Sequence, residues 1–225
     1  MISKGIAFQI GDGGATVNAL MAWCALNQFP RRFFHKAKDV PGDWLPYGNV
    51  PWTEACLGRS LVPDYLPEWL SGWVFRKTWV QDEWPLGKRV HVKPAERYKR
   101  FTGFVTNGGY KGKKRGPLLC SEAVIFQDEW RYYVANGQVL AAHWYFAQNV
   151  TEGYVEPKAP ELNIVWPEGF CGAVDFGSRL DDRIELLESH HAISAGWYGP
   201  YEDTGVFVEW LDAGWQSLKA KSPGL

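Results

Sequence analysis

The sequence predicts an α+β fold dominated by antiparallel strands. Three observations carry this. From residue 72 to 144 the chain is a succession of short β-branched and aromatic runs cut by Gly, Pro or Asn. Asn136-Gly137 stands between two of those runs, the signature of a tight hairpin. Only two long segments, near the two ends, carry apolar residues at helical spacing. With 225 residues, 46% of them hydrophobic, the chain suffices for one compact unit or two small lobes.

Taken in order, the first seventy residues read as irregular apart from helices. GATVNALMAWCALNQ (14–28) has helical spacing and is stopped by Pro30. The following PGDWLPYGNVPWTEACLGRSLVPDYLPEWL is proline-rich and predicts loops with one short helix. Strands are expected over 72–80, 89–93, 102–106, 118–126, 130–135 and 138–144. A helix is expected before Phe170, limited by Pro160 and Pro167, after which strands resume at GFCGAVDFG and RIELLES. The segment 204–219 predicts a final helix. No repeat, low-complexity tract or long linker separates independent units.

Composition narrows the function classes. Lys+Arg 24 against Asp+Glu 25 leaves a net charge of −1, so no global field recruits nucleic acid or an anionic membrane, and any such contact must come from a local patch. Cys24, Cys56, Cys120 and Cys171 contain no C-x-x-C pair, which argues against a thiolate metal site. MISKGIAFQIGDGG fits neither a signal peptide nor a membrane span, and the expected location is cytoplasmic. The 13 Trp serve as core filler or as pocket walls.

Three constellations carry chemistry. In VHVKPAERYKRFTGFV, Lys93 ends a strand at Pro94, where a fixed ammonium can meet a phosphate, and Lys99 lies on the loop beyond. In SEAVIFQDEWRYYV, Glu129 and Arg131 are two apart and share a strand face, either as a surface ion pair or to hold a ribose hydroxyl and a phosphate. In VDFGSRLDDRIELLESHH, Asp175 closes one apolar strand and Glu188 with His190 ends the next. Paired as a hairpin, these strands bring all three to one edge, where converging carboxylates call for a cation. Zinc would want more His or Cys ligands than His190 and His191 supply.

In this order the three stretches resemble the ATP-grasp superfamily, and most closely its small members frequent in bacteriophages and bacteria. The resemblance covers roughly residues 89–199. It implies two α+β lobes with antiparallel sheets gripping ATP between them: a short N-terminal region over 1–70, a small lobe over about 71–120 and a large lobe over about 121–225. It implies that Lys93 and Lys99 contact the nucleotide phosphates and that the 119–123 hinge, with Leu119, Cys120, Ser121 and Glu122, binds the adenine edge. Glu129 matches the ribose-binding carboxylate, Arg131 the phosphate-side arginine, and Asp175 and Glu188 the magnesium ligands.

His190 stands where the family carries asparagine. Either it is a softer ligand that admits manganese, or it faces substrate. Ala173 occupies the position of an arginine often found two residues before the metal aspartate, so Arg131 or Arg179 must compensate. The implied activity is an ADP-forming carboxylate–amine or carboxylate–thiol ligation through an acyl phosphate, with Arg131, Lys99 and His190 as catalytic groups. Its partners are small-molecule or peptide carboxylates and amines. Trp197, Tyr198 and His191 are near enough to the metal strand to reach an acceptor.

Two other readings compete. Asp175-Phe176-Gly177 invites a protein-kinase assignment, but no H-R-D loop or G-x-G-x-x-G precedes it. The basic glycine-rich stretch GGYKGKKRG (108–116) is either a lid over ATP or a track for a nucleic-acid backbone in a binding module without ligase activity.

Overall fold

The computed structural model describes residues 3–98, 100–109, 116–148, 150 and 153–221. It opens on a three-stranded parallel sheet of β1 (Ile6–Gln9), β2 (Arg31–Phe34) and β3 (Leu45–Tyr47), ordered β2-β1-β3. Helix α1 (Ala15–Leu26) makes the crossover that parallel neighbours require. Helix α2 (Val50–Leu57) follows β3; Asn49 caps it by accepting the Trp52 N–H at 3.0 Å, and Gly58 ends it in a left-handed conformation. The expectation of an irregular first seventy residues is therefore corrected. These strands are only 4, 4 and 3 residues long, and Pro46 lies inside one of them, so alternation has no length over which to show.

A second sheet, antiparallel throughout, holds β4 (Thr78–Gln81), β5 (Val90–Pro94), β6 (Phe104–Thr106) and β7 (Leu118–Glu122) in the order β4-β7-β5-β6. Val90, Val92, Leu118 and Cys120 form its core. The expected strand over 72–80 is mostly not one. A 3₁₀ turn occupies Glu68–Trp73, and strand pairing starts at Thr78. The expected strand over 118–126 is two strands in two sheets, with 123–125 crossing between them.

The third sheet, also antiparallel, contains β8 (Phe126–Ala135), β9 (Gln138–Ala147), β10 (Gly172–Arg179) and β11 (Ile184–His191), ordered β11-β10-β8-β9. Asn136 (φ 51°) and Gly137 (φ 74°) make the two-residue turn between β8 and β9, as the sequence predicts. The expected helix before Phe170 is absent. Residues 154–167 run without helix or strand, punctuated by Pro157, Pro160 and Pro167, while Leu162, Ile164 and Trp166 pack with period two on the sheet core.

That core uses one face of the third sheet: Trp130, Tyr132, Val134, Val174, Phe176 and Leu186. Tyr133, Ala135 and Ala173 on the other face pack with α1, β1, β3 and helix α3 (Thr204–Ala220) in one apolar cluster. The Trp210 indole N–H of α3 reaches the carbonyls of both Val134 and Gly172 at 3.0 Å, tying the helix across β8 and β10. No helix among the described residues is long and apolar enough to cross a membrane.

Candidate active site

Arg131, Asp175 and Glu188 form a row across three adjacent strands. Asp175 on β10 is paired with Arg131 on β8 and with Glu188 on β11, so directly opposed positions bring the side chains together. The Arg131 guanidinium forks onto the carboxylate, Nε to Oδ1 at 2.7 Å and Nη2 to Oδ2 at 2.6 Å. Asp175 is 1% exposed and Arg131 8%. Lys93, at the end of β5 in the facing sheet, donates from Nζ to Glu188 Oε2. The other carboxylate oxygen of Glu188 meets His190 Nε2 at 2.6 Å, and the same ring nitrogen lies 4.0 Å from Asp175 Oδ2. Burial would raise the Glu188 pKa, but the charges of His190 and Lys93 outweigh it and hold the carboxyl well below its ordinary range.

Aromatic rings frame these charges. Lys93 Nζ lies 4.0 Å from the centre of the Tyr65 ring, and Tyr65 and Tyr98 both pack on the His190 imidazole. On the opposite side Tyr145 and Tyr198 stack at 4.8 Å with the Arg131 guanidinium against both rings. Tyr145 is skipped by the β8–β9 register, which runs Glu129↔Phe146 and then Trp130↔Trp144. Its hydroxyl donates to Glu129 and lies 3.5 Å from Asp175 Oδ2. Burial raises the Glu129 pKa; the nearby Asp175 and Glu188 charges push the same way, and the Tyr145 hydrogen bond opposes them.

These groups border a cavity of about 560 Å³, within the usual range for ligand sites. Its walls come from His91, Lys93 and Gly103 of one sheet, Arg131, Glu188, His190 and His191 of the other, and the 193–196 turn with Tyr198. Burial, then the Lys93 charge, lowers the His91 pKa to about 4, so this ring is neutral near pH 7. In the turn, Ser194 has a left-handed φ of 52°, and its hydroxyl meets that of Thr53. The carbonyls of Ala195 and Gly196 are held by the Tyr47 and Tyr133 hydroxyls at 3.0 and 2.7 Å. No acceptor among the described residues takes the N–H groups of Ser194, Ala195 and Gly196. Consecutive amides of this kind at a left-handed residue are suited to an anion.

The sequence-based expectations meet this geometry unevenly. Lys93, Arg131, Asp175, Glu188 and His190 converge, with Glu129 beside them through Tyr145. Asp175, Glu188 and His190 offer ligand atoms within 4.8 Å of one another, so two ionisable carboxylates and an imidazole fit a divalent cation. Leu119, Cys120, Ser121 and Glu122 lie on β7 next to Lys93, outside this cavity; Cys120 is fully buried, and Glu122 accepts the Lys77 N–H at 3.0 Å. Lys99 and residues 110–115 of the basic stretch lie outside the described residues. His191 and Tyr198 line the cavity, whereas Trp197 is packed in the α3 cluster and is no acceptor contact.

Several residues escape the sequence reading. Tyr145 falls one residue past the expected end of its strand. Tyr65 and Tyr98 sit in proline-rich or irregular stretches with no pattern to mark them. His91 is visible in VHVK, two residues before Lys93 and so on the same strand face. Glu185, first of the two glutamates in ELLESHH, is fully buried and paired with Arg76 and Arg179, away from the cavity lining.

No curated protein sequence matches this chain. Among solved structures, D-cycloserine synthetase superposes with a TM-score of 0.51 at 14% identity, covering 96% of this chain and 99% of that one. D-alanine–D-alanine ligase from Bacillus anthracis, crystallised with ATP, gives 0.50 at 11% identity over 98% and 99%. At such identities the likeness shows the fold, and it is the ATP-grasp fold that the sequence predicts. A family model described as an ATP-grasp domain, the second family of its clade, matches residues 69–204. That span is more than half of the chain and contains the whole Lys93, Arg131, Asp175, Glu188 and His190 cluster, and the chain therefore belongs to this ATP-grasp domain family.

Proposed function

We propose that the chain is an ATP-dependent, ADP-forming ligase that activates a carboxylate as an acyl phosphate and joins it to an amine. The observation that carries this is the meeting of Lys93 from one sheet with the Arg131–Asp175–Glu188 row of another across a single cavity. ATP lies between the two antiparallel sheets. Its adenine edge meets the backbone of 119–123, its ribose meets Glu129, and its phosphates meet Lys93, with Lys99 as the second phosphate lysine. Asp175, Glu188 and His190 hold magnesium or manganese, which supplies neutralisation of phosphate charge.

The chain's own groups then have defined tasks. Lys93 offsets charge on the transferring phosphoryl group as the substrate carboxylate attacks the γ-phosphorus and ADP leaves. Arg131 keeps N–H donors beyond the two that Asp175 occupies, and with the free amides of the 194–196 turn it suits the oxyanion formed when the amine adds to the acyl carbon. Phosphate leaves as the amide forms. Small molecules and peptides are both admissible acceptors for a cavity of this size.

The test is ADP release from pooled carboxylates and amines with magnesium, with Glu188→Gln as control. Carboxylate-dependent ADP release that is lost in the variant supports the ligase. ADP release unchanged by the variant would sink the metal assignment. Salt-dependent nucleic-acid binding without nucleotide, and no ADP with any pool, would favour the binding-module reading.

A further inference from the structure

We infer that Arg76 is a positioning residue for the metal ligands on β11: it fixes the β-bulge that turns Glu188 and His190 to the Asp175 face. This rests on the assignment of Glu188 as a metal ligand. Pairing of β10 with β11 runs Phe176↔Leu186 and then Asp175↔Glu188, leaving Leu187 unpaired. Without that skip Asp175 would oppose Leu187, and Glu188 would oppose Val174. Val174 belongs to the apolar core on the other face, so Glu188 and, by alternation, His190 would point into Phe176 and Leu186 rather than toward Arg131 and Lys93. The site exists only because of this one extra residue.

Arg76 holds it from outside the sheet. Its Nη1 donates to Leu186 O at 2.5 Å and its Nη2 to Leu187 O at 2.8 Å, the two carbonyls that flank the skip. Nη1 also meets Glu185 Oε1 at 2.9 Å, and that same oxygen accepts the backbone N–H of Phe75 and of Arg76 at 3.0 and 2.9 Å. Both side chains are withdrawn from water, Arg76 at 8% and Glu185 at 0% exposure. The planar guanidinium thus reads three oxygens of β11 at once, which a single ammonium does poorly. Arg179 Nη1 neutralises the other oxygen of Glu185 at 2.9 Å, with no hydrogen bond to either carbonyl. Two cations therefore share one buried carboxylate, but only one of them touches the bulge.

That difference supplies the experiment. Mn²⁺ binding is measured by the loss of its free-ion resonance in the presence of a non-hydrolysable ATP analogue, alongside thermal melting, for wild type, R76K, R179M and E188Q. R76K keeps a charge beside Glu185 while losing the fork, which protects folding. We expect R76K to weaken Mn²⁺ binding about tenfold or more, as loss of an outer partner of a metal ligand does, and R179M to change it less than about twofold. Lower melting temperatures shared by R76K and R179M report only the charge on Glu185. Wild-type Mn²⁺ affinity in R76K, or equal weakening in R179M, overturns the inference. E188Q separates the failures: unchanged Mn²⁺ binding there refutes the metal assignment itself, while weakened binding there with wild-type affinity in R76K refutes the role of Arg76 alone.

Discussion

Arg131→Met in metal-free protein tests the row at its centre. The variant leaves Asp175, 1% exposed, with only a tyrosine hydroxyl at 3.5 Å and a histidine nitrogen at 4.0 Å in place of a two-pronged guanidinium at 2.6 and 2.7 Å. Removing one partner of a buried ion pair costs about 3–5 kcal/mol, and the remaining partners place this case near the lower end. For a chain of this length about 3 kcal/mol is a fall in Tm of about 6–12 °C. Asp175→Asn strands the guanidinium instead and should cost a similar amount. The double variant removes both charges, so its loss should fall short of the sum of the singles by about 2 kcal/mol or more. Urea unfolding in a chelator, followed by the fluorescence of the 13 Trp, reads all four proteins. If the singles add, or if Arg131→Met costs less than about 1 kcal/mol as an exposed pair would, the row does not hold the sheet in the way described.

Other outcomes follow from individual groups. Glu188→Gln should raise the metal concentration needed for half-maximal ADP release by about tenfold or more, read from a metal titration. Glu129 has a raised pKa, so its ionisation costs stability as pH rises through the folded value; Glu129→Gln should raise Tm near neutral pH yet weaken ATP binding about tenfold by calorimetry. The Glu185 pKa would be raised by burial, but the Arg76 and Phe75 contacts lower it. Its stabilisation is therefore full above the unfolded value of about 4.3 and is lost as pH falls through the folded value, so Glu185→Gln should flatten the acid limb of the Tm profile below about pH 4.5. His190→Asn restores an oxygen donor and should shift the ratio of manganese- to magnesium-supported ADP release toward magnesium.

The parts of the fold that sequence reveals are those in which pattern has length. The ten-residue β8 and β9, the Asn136-Gly137 turn and the seventeen-residue α3 all carry enough period to be read. The parallel sheet fails that condition, and so does the 154–167 stretch, where prolines and period-two packing overrule an expected helix. Within the site, Lys93, Arg131, Asp175, Glu188 and His190 are legible because charges at the ends of apolar strands are conspicuous. The aromatic frame is not, since Tyr65, Tyr98 and Tyr145 are chemically ordinary residues in a chain with 10 Tyr and 13 Trp.

Register is the deeper obstacle, because alternation along a strand says which residues share a face but not which face that is. Glu188 and His190 are two apart, so the sequence correctly puts them together. Placing them on the Asp175 face depends on the unpaired Leu187, and placing Tyr145 over Arg131 depends on a second skip in β9. Each skip reverses the facing of everything beyond it. Neither is marked by glycine or proline; the one at Leu187 is held instead by Arg76, 110 residues away along the chain from Leu186. A local pattern therefore finds the ligands, while a distant guanidinium decides whether they form a site, and that division is why the chemistry of this chain can be read from its strands but its geometry cannot.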